Sequence, residues 1–279
     1  MAGESEFLVT ALVSTYRAER FMRGRLEDLL AQTIADRLEI IVVDSDSPQD
    51  EAAIVREHQE RYPNILYLRT GERENSHLSF NRAIQLARGR YLTTANTDDR
   101  LRPDALERMV QVLESCPRFG LVYADSLLTA AENASFADAP VARRYDWPDF
   151  TLATALATCP FGAHPLWRRE VHERVGLFDT GIWVAGDQDM FLRIAAAYGA
   201  VHLRESLGLF LQRPDSNSGA DRQEEATQEL VRVLRRHRRG LPLERIFPAL
   251  AKTPDPAGGR TAALFELGGI CALSPYNDF

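Results

Sequence analysis

The chain contains no run of about 18 apolar residues, the length a membrane-spanning helix needs, although 45% of its 279 residues are hydrophobic. That composition can fill one large core, or a core with a modest appendage. Basic charge is not in excess either. The formal net charge of −7 argues against a general nucleic-acid binder, whose footprint is basic. Cysteine is scarce. Cys116, Cys159 and Cys271 are odd in number, far apart and without metal-ligand spacing, and they read as reduced thiols of a cytoplasmic protein. The opening Met1-Ala2-Gly3-Glu4-Ser5-Glu6 is acidic and lacks the pattern of a secretory signal. Internal repeats and low-complexity tracts are also missing.

What is present is a rhythm of strands and helices. Residues 7–15 (FLVTALVST) and 38–44 (LEIIVVD) are continuous apolar runs of the kind covered on both faces of a sheet. Residues 20–32 carry Phe21, Leu26, Leu29 and Leu30 at helical spacing. Further helices are expected over 50–62, 81–87 and 105–114, and strands over 65–69, 91–95 and 121–124. Strands alternating with helices of this length mean βαβ units and a mostly parallel central sheet flanked by helices. Beyond Asp125 the pattern loosens, and residues 126–160 read as irregular. Helices around 169–175 and 187–198, a strand over 201–211 and a long amphipathic helix over roughly 221–239 follow.

The most informative feature is a pair of carboxylates at the end of the fourth strand. Tyr91-Leu92-Thr93-Thr94-Ala95-Asn96-Thr97 runs into Asp98-Asp99. Ligands bind open α/β sheets at the carboxyl ends of their strands. Two adjacent carboxylates repel unless a cation sits between them, and a hard divalent ion bridging to a diphosphate is the usual solution. A polar turn capping the next helix, with Pro103 in its first turn, is the plain alternative.

Four segments in order resemble the inverting glycosyltransferases of family 2, which have the GT-A fold. Val13-Ser14-Thr15-Tyr16-Arg17 is similar to V-S-x-Y-N, and Ile41-Val42-Val43-Asp44-Ser45-Asp46-Ser47 to V-V-D-D-G-S. Ala87-Arg88-Gly89-Arg90-Tyr91, leading to Asn96-Thr97-Asp98-Asp99, is similar to A-x-G-x-Y followed by D-x-D. Gly186-Asp187-Gln188-Asp189-Met190-Phe191-Leu192-Arg193 is similar to E-D-x-D-x-x-L-R. The resemblance covers about residues 7–215. It implies a GT-A domain over 1–215, with a nucleotide-sugar-binding half (7–125) and an acceptor-side half (126–215). Residues 216–279 form a C-terminal helical extension.

The resemblance also assigns roles. Thr15, Tyr16, Arg17, Asp44 and Asp46 wall the base and ribose, and His77 and Asn81 lie where family members contact the donor. Asn96, Thr97 and Asp98 face the diphosphate, Arg213 offers it a fork of donors, and Asp98 and Asp99 hold Mg2+ or Mn2+. Asn96 replaces the first aspartate of D-x-D, and the stretch 211–216 has no histidine to complete a metal shell. Asp187 is the expected base that deprotonates the acceptor hydroxyl, and a helix cap is its plainer role. Asp189 is expected to be a hydrogen-bonding or capping partner. Trp167 and Trp183 flank this segment as core residues or sugar-stacking surfaces.

The implied activity is metal-dependent, hexosyltransferase-type transfer from a nucleotide-diphosphate sugar to a carbohydrate or lipid-linked acceptor. Two alternatives stay open: a nucleotidyltransferase, and an inactive nucleotide-sugar-binding module. The former would want a glycine-rich phosphate loop, where this chain has Tyr16-Arg17-Ala18-Glu19-Arg20. The basic run at 232–239 reads as a solvated helix end, with peripheral contact to the inner face of an anionic membrane as the weaker reading. Homo-oligomerisation through the extension is also open.

Overall fold

The computed structural model describes residues 7–213, apart from Cys159 and Ala163, and residues 223–238. The expectations for residues 239–279, the thiols Cys159 and Cys271, and oligomerisation through the extension lie wholly or largely outside them. The nucleotide-side half builds β1 (Val9–Thr15), α1 (Glu19–Leu30), β2 (Leu38–Asp44), α2 (Glu51–Gln59), β3 (Ile65–Arg69), α3 (Ser76–Leu86) and β4 (Tyr91–Thr94). The chain continues through β5 (Arg100–Leu101), α4 (Ala105–Ser115), β6 (Leu121–Thr129), β7 (Arg143–Tyr145), α5 (Leu152–Thr158) and β8 (Leu166–Arg168). It ends in α6 (His172–Val175), α7 (Gly186–Tyr198), β9 (Ala200–Leu211) and α8 (Gln223–Arg238).

One sheet runs in the order β3-β2-β1-β4-β8-β6-β9-β5, with β7 added beside β6. The strands β3, β2, β1 and β4 are all parallel. Beyond them the sheet is mixed: β8 is antiparallel to both β4 and β6, β9 is parallel to β6, and β5 is antiparallel to β9. The register that matters most pairs Val9 with Leu38 and ends with Thr15 beside Asp44. Two loops, 16–18 and 45–50, therefore leave the sheet side by side.

Strand side chains alternate between faces, and the core divides accordingly. Val9, Ala11 and Val13 join Ile40, Val42, Met22, Leu26, Leu29, Val55 and Leu106, beneath α1, α2 and α4. Leu12, Ile41 and Val43 join Phe80, Ile84, Met190, Phe191, Val233 and Leu234, beneath α3, α7 and α8. The result is helices on both faces of one sheet, as a run of strands covered on both sides requires.

Several differences from the sequence reading have local causes. The helix α3 begins at Ser76, five residues before the expected start at Asn81, because the Asn75 side chain accepts from the Leu78 backbone N–H (2.8 Å) and caps it. Strand β6 continues to Thr129 through a bulge at Asp125, whose carboxylate accepts from the backbone of Trp147 (2.9 Å) and from His202 (2.8 Å). Gly89 is required where it stands, since a Cβ there would lie 2.5 Å from the Thr10 backbone nitrogen.

Candidate active site

The loops after β1 and β2 are locked together by a residue the motifs do not mark. Glu51 is fully buried and its Oε1 accepts from the Ala18 backbone (2.7 Å), the Ser47 hydroxyl (2.8 Å) and the Thr15 hydroxyl (3.4 Å). The Arg17 backbone N–H in turn donates to Ser47 Oγ (3.0 Å). Two residues of these loops hold left-handed backbone: Arg17 at φ 53° and Asp46 at φ 51°. Asp46 stands at the motif's glycine and Arg17 at its asparagine, the residue types that enter this region most readily. Their φ values explain the motif, and Asp tolerates the conformation better than Arg.

Asp44 is buried and fully engaged by its neighbours. Its Oδ1 accepts from the Ser47 N–H (2.7 Å), and its Oδ2 accepts from the Tyr67 hydroxyl (2.6 Å) and from Arg69 (3.3 Å). Burial, then the bond to Asp44, pushes the Tyr67 hydroxyl up to about 12. Arg69 also reaches Asp46 Oδ1 and the Ser47 carbonyl, each at 2.9 Å. Ser45, standing where the motif has its second aspartate, ties its hydroxyl to the Glu74 carbonyl (2.9 Å). Asp44 thus shapes the wall, and Tyr67 and Arg69 present its outer groups. A cleft of about 400 Å³ opens beside them, lined by Leu68, Arg69, Thr70, Gly71, Glu72, Glu74 and Arg82. The half-buried Tyr16 ring carries the Arg73 guanidinium 4.3 Å from its centroid and that of Arg17 at 5.4 Å.

The two strand-end aspartates differ sharply. Asp99 is 1% exposed; its Oδ1 accepts from the Leu211 N–H (3.0 Å) and its Oδ2 from Asn96 Nδ2 (3.1 Å). Burial, and then repulsion from Asp98, raises its pKa to about 7. Asp99 thus anchors the loop, each carboxylate oxygen holding a group inside the protein. Asp98 keeps 18% of its side chain exposed, and its Oδ2 is engaged by Arg213 Nε (3.0 Å) and Nη2 (2.9 Å). Strand β9 thus ends by delivering Leu211 to Asp99 and Arg213 to Asp98.

Two buried arginines support this loop from below. Arg25 Nη1 donates to the Asp99 carbonyl (3.1 Å) and to Asp28 (2.9 Å); Arg100 Nη1 donates to the carbonyls of Thr97 (2.9 Å) and Asp99 (2.7 Å). Arg25 was legible in retrospect, as a charge inside the apolar stripe Phe21, Met22, Leu26 and Leu29. His164 lies 3.7 Å from Asp99 Oδ2, and desolvation holds its pKa down at about 3, so it packs there as a neutral ring. Among the described residues no group of three or more His, Cys, Asp or Glu side chains is arranged to hold a metal ion. The donor set instead fits an ion held by one carboxylate and completed by ligand phosphates.

On the acceptor side, α7 begins at the same edge of the sheet as α3. His77, in the first turn of α3, is buried, donates from Nδ1 to the Ile182 carbonyl (2.9 Å), and stacks on Phe178. Its ring fills the space above Gly186, where a Cβ would come within 2.6 Å of Cε1. Asn81 spends both ends of its amide on the Phe178 backbone, each at 2.9 Å. Both residues anchor α3 to the segment before α7.

Asp187 is exposed in the first turn of α7, with Oδ1 accepting from the Gln188 N–H (2.7 Å). Although the side chain reaches water, dense protein surrounds it, and lost hydration raises its pKa; His77 and the backbone N–H groups offset part of this. Asp189 is fully buried and gathers Arg193 (2.9 Å), His237 (3.0 Å) and Arg236 (3.1 Å). Trp167 is a core residue, and Trp183 is 48% exposed three residues before Gly186.

Comparison with known proteins finds likeness in both sequence and fold. Residues 10–124 match the model of the family described as glycosyl transferase family 2. Chondroitin synthase of Escherichia coli is 24% identical over 198 residues, which cover 71% of this chain and 28% of that protein. The chain spans well under half the length of such curated relatives. Among solved structures, S. aureus TarS 1–349 in complex with UDP-GlcNAc is similar at TM-score 0.68 and 15% identity, over 88% of this chain and 71% of that one. The mannosyltransferase PcManGT from Pyrobaculum calidifontis, in complex with GDP-Man and Mn2+, is similar at TM-score 0.63 and 23% identity, over 96% and 81%.

The fold is therefore the GT-A fold that these solved structures share. Residues 10–124 carry the match to the glycosyl transferase family 2 model, and the similarity to chondroitin synthase extends it over 71% of the chain.

Proposed function

We propose that the protein is an inverting glycosyltransferase that moves a sugar from a nucleotide-diphosphate donor to an acceptor hydroxyl with help from a divalent ion. One observation carries the reading. The solvent-reaching carboxylates Asp98 and Asp187 stand at the same edge of the sheet, one after β4 and one opening α7, while their neighbours Asp99 and Asp189 are buried in protein contacts. The GDP-Man, Mn2+ and UDP-GlcNAc complexes of the structural neighbours support such a donor.

The nucleoside lies along Tyr16 and the Tyr67–Arg69 edge, where an aromatic face and a guanidinium suit a planar base. Asp98 would hold Mg2+ or Mn2+. Such an ion neutralises negative charge growing on the departing diphosphate. Arg213, paired with Asp98, sets a guanidinium charge next to the same phosphates. On the opposite face Asp187 accepts the acceptor's proton as its oxygen attacks the anomeric carbon. The bond from that carbon to the diphosphate oxygen breaks, and configuration inverts. A positioned base of this kind contributes roughly 10²–10⁴-fold.

The test is a panel of nucleotide sugars incubated with the pure protein and Mg2+ or Mn2+. Release of nucleoside diphosphate from one donor, abolished by chelator and restored by metal, is the expected result. Release unchanged in chelator removes the metal from the account, and no release from any donor removes the donor class.

A further inference from the structure

The start of α7 has a defect that its own sequence does not repair. Ala185 occupies the cap position and supplies no side-chain acceptor, and the N–H groups of the turn leading into the helix, at 183–185, need a partner from elsewhere. They find it 44 residues downstream, on α8. Glu229 Oε1 accepts from the Trp183 N–H (2.9 Å), and Oε2 accepts from Val184 (2.6 Å) and Ala185 (3.3 Å). Three consecutive backbone donors converging on one carboxylate form the concave arrangement that binds anions. Here the anion belongs to the protein. The Glu229 side chain is 9% exposed. Burial alone would raise its pKa, but the three N–H groups outweigh that and hold it below the ordinary carboxylate range.

A second contact grips the same turn from its other side. His237 and Arg236, two turns further along α8, reach Asp189 Oδ1 at 3.0 and 3.1 Å. Between the two grips, Val233 and Leu234 are buried in the cluster that holds Met190, Phe191 and Ile194 of α7. Asp187 lies between residues 183–185, held by Glu229, and Asp189, held by Arg236 and His237.

We infer that Glu229 is a positioning residue for the acceptor-side base, its carboxylate fixing the chain at 183–185 so that Asp187 meets the acceptor hydroxyl. This rests on the reading of Asp187 as the base. It makes α8 a working part of the acceptor side, since an ångström-scale shift of a catalytic group is costly to the rate. Three charge-assisted bonds to backbone are a stiff mount, and the neutral amide of glutamine cannot reproduce it: one of its two ends donates, and faces a donor.

The experiment is a double-mutant cycle of Glu229→Gln with Asp187→Asn, reading kcat, KM, nucleotide affinity by calorimetry and melting temperature. In the parental background Glu229→Gln lowers kcat about tenfold and leaves nucleotide affinity unchanged. In the Asp187→Asn background it lowers the residual rate by less than about twofold, because there is no base left to position. Glu229→Asp, which keeps the charge on a shorter arm, gives a smaller loss and the same dependence on Asp187; it carries the test should the glutamine variant melt below assay temperature. A parental rate in Glu229→Gln, an equal loss in both backgrounds, or a parallel loss of nucleotide affinity overturns the inference. Parental activity in Asp187→Asn itself overturns the assignment of the base instead, which keeps the two failures distinct.

Discussion

At the scale of single residues, burial separates groups that look alike in the chain. Asp98 and Asp99 are neighbours of one type, yet one reaches solvent and the other closes a loop onto Leu211. Nothing in the order of letters distinguishes them, because the partner of Asp99 is a backbone N–H 112 residues away. The same holds for His77 and Asn81, whose partners lie at Ile182 and Phe178. Asp46 and Arg17, in contrast, were legible through the motif, since left-handed backbone restricts residue type. Asp98→Asn is expected to weaken nucleotide binding in Mg2+ or Mn2+ by tenfold or more while shifting the melting temperature little, because a partly exposed pair with Arg213 is worth only about 0–1 kcal/mol. Calorimetry and a thermal scan check both. The raised pKa of Asp187 makes a second prediction. The base works only when ionised, so kcat falls on the acid side at a pH above the ordinary 3.8 of aspartate, and this limb is absent in Asp187→Asn. A pH–rate profile of both proteins decides it.

At the scale of elements, long apolar segments were legible and short or irregular ones were not. Strands β2 and β3 lie where their apolar runs are, with both ends matched. Strand β8 has three residues, too few for any period to show, and it is recruited by its neighbours β4 and β6. Helix α8 was visible as an amphipathic stretch, but its basic run is divided in the structure. Val233 and Leu234 turn into the core, Arg236 and His237 turn to Asp189, and Arg232 stays on the outer side at 67% side-chain exposure. Asp189 is thus the bolt between α7 and α8. Burial alone would raise its pKa, but His237 and Arg193 hold it at about 2, below its unfolded value of 3.8. Its stabilisation, on the order of 2 kcal/mol, is complete above pH about 4 and lost as pH falls towards 2. Asp189→Asn is expected to cost on the order of 2 kcal/mol at neutral pH, because it takes the buried carboxylate away from Arg193, Arg236 and His237. Denaturant titration against pH would show the loss shrinking towards pH 2.

At the scale of the whole molecule, one sheet edge gathers the loops after β1, β2 and β4, the start of α7 and the end of β9. The parallel half of that arrangement followed from the alternation of strands and helices, and with it the placement of Thr15 beside Asp44. The mixed half depended on which strand inserts beside β4, a choice that short antiparallel segments leave open. No helix among the described residues is long and apolar enough to cross a membrane. The central claim is that donor binding and proton removal are separate tasks, performed at Asp98 and Asp187. The measurement that tests it most directly compares sugar transfer and nucleotide affinity in Asp187→Asn, which keeps the shape of the side chain without its basicity. Transfer reduced by roughly two orders of magnitude, with metal-dependent nucleotide affinity and melting temperature unchanged, is the predicted result. Transfer at the parental rate would contradict it and leave Asp187 as the opening residue of a helix.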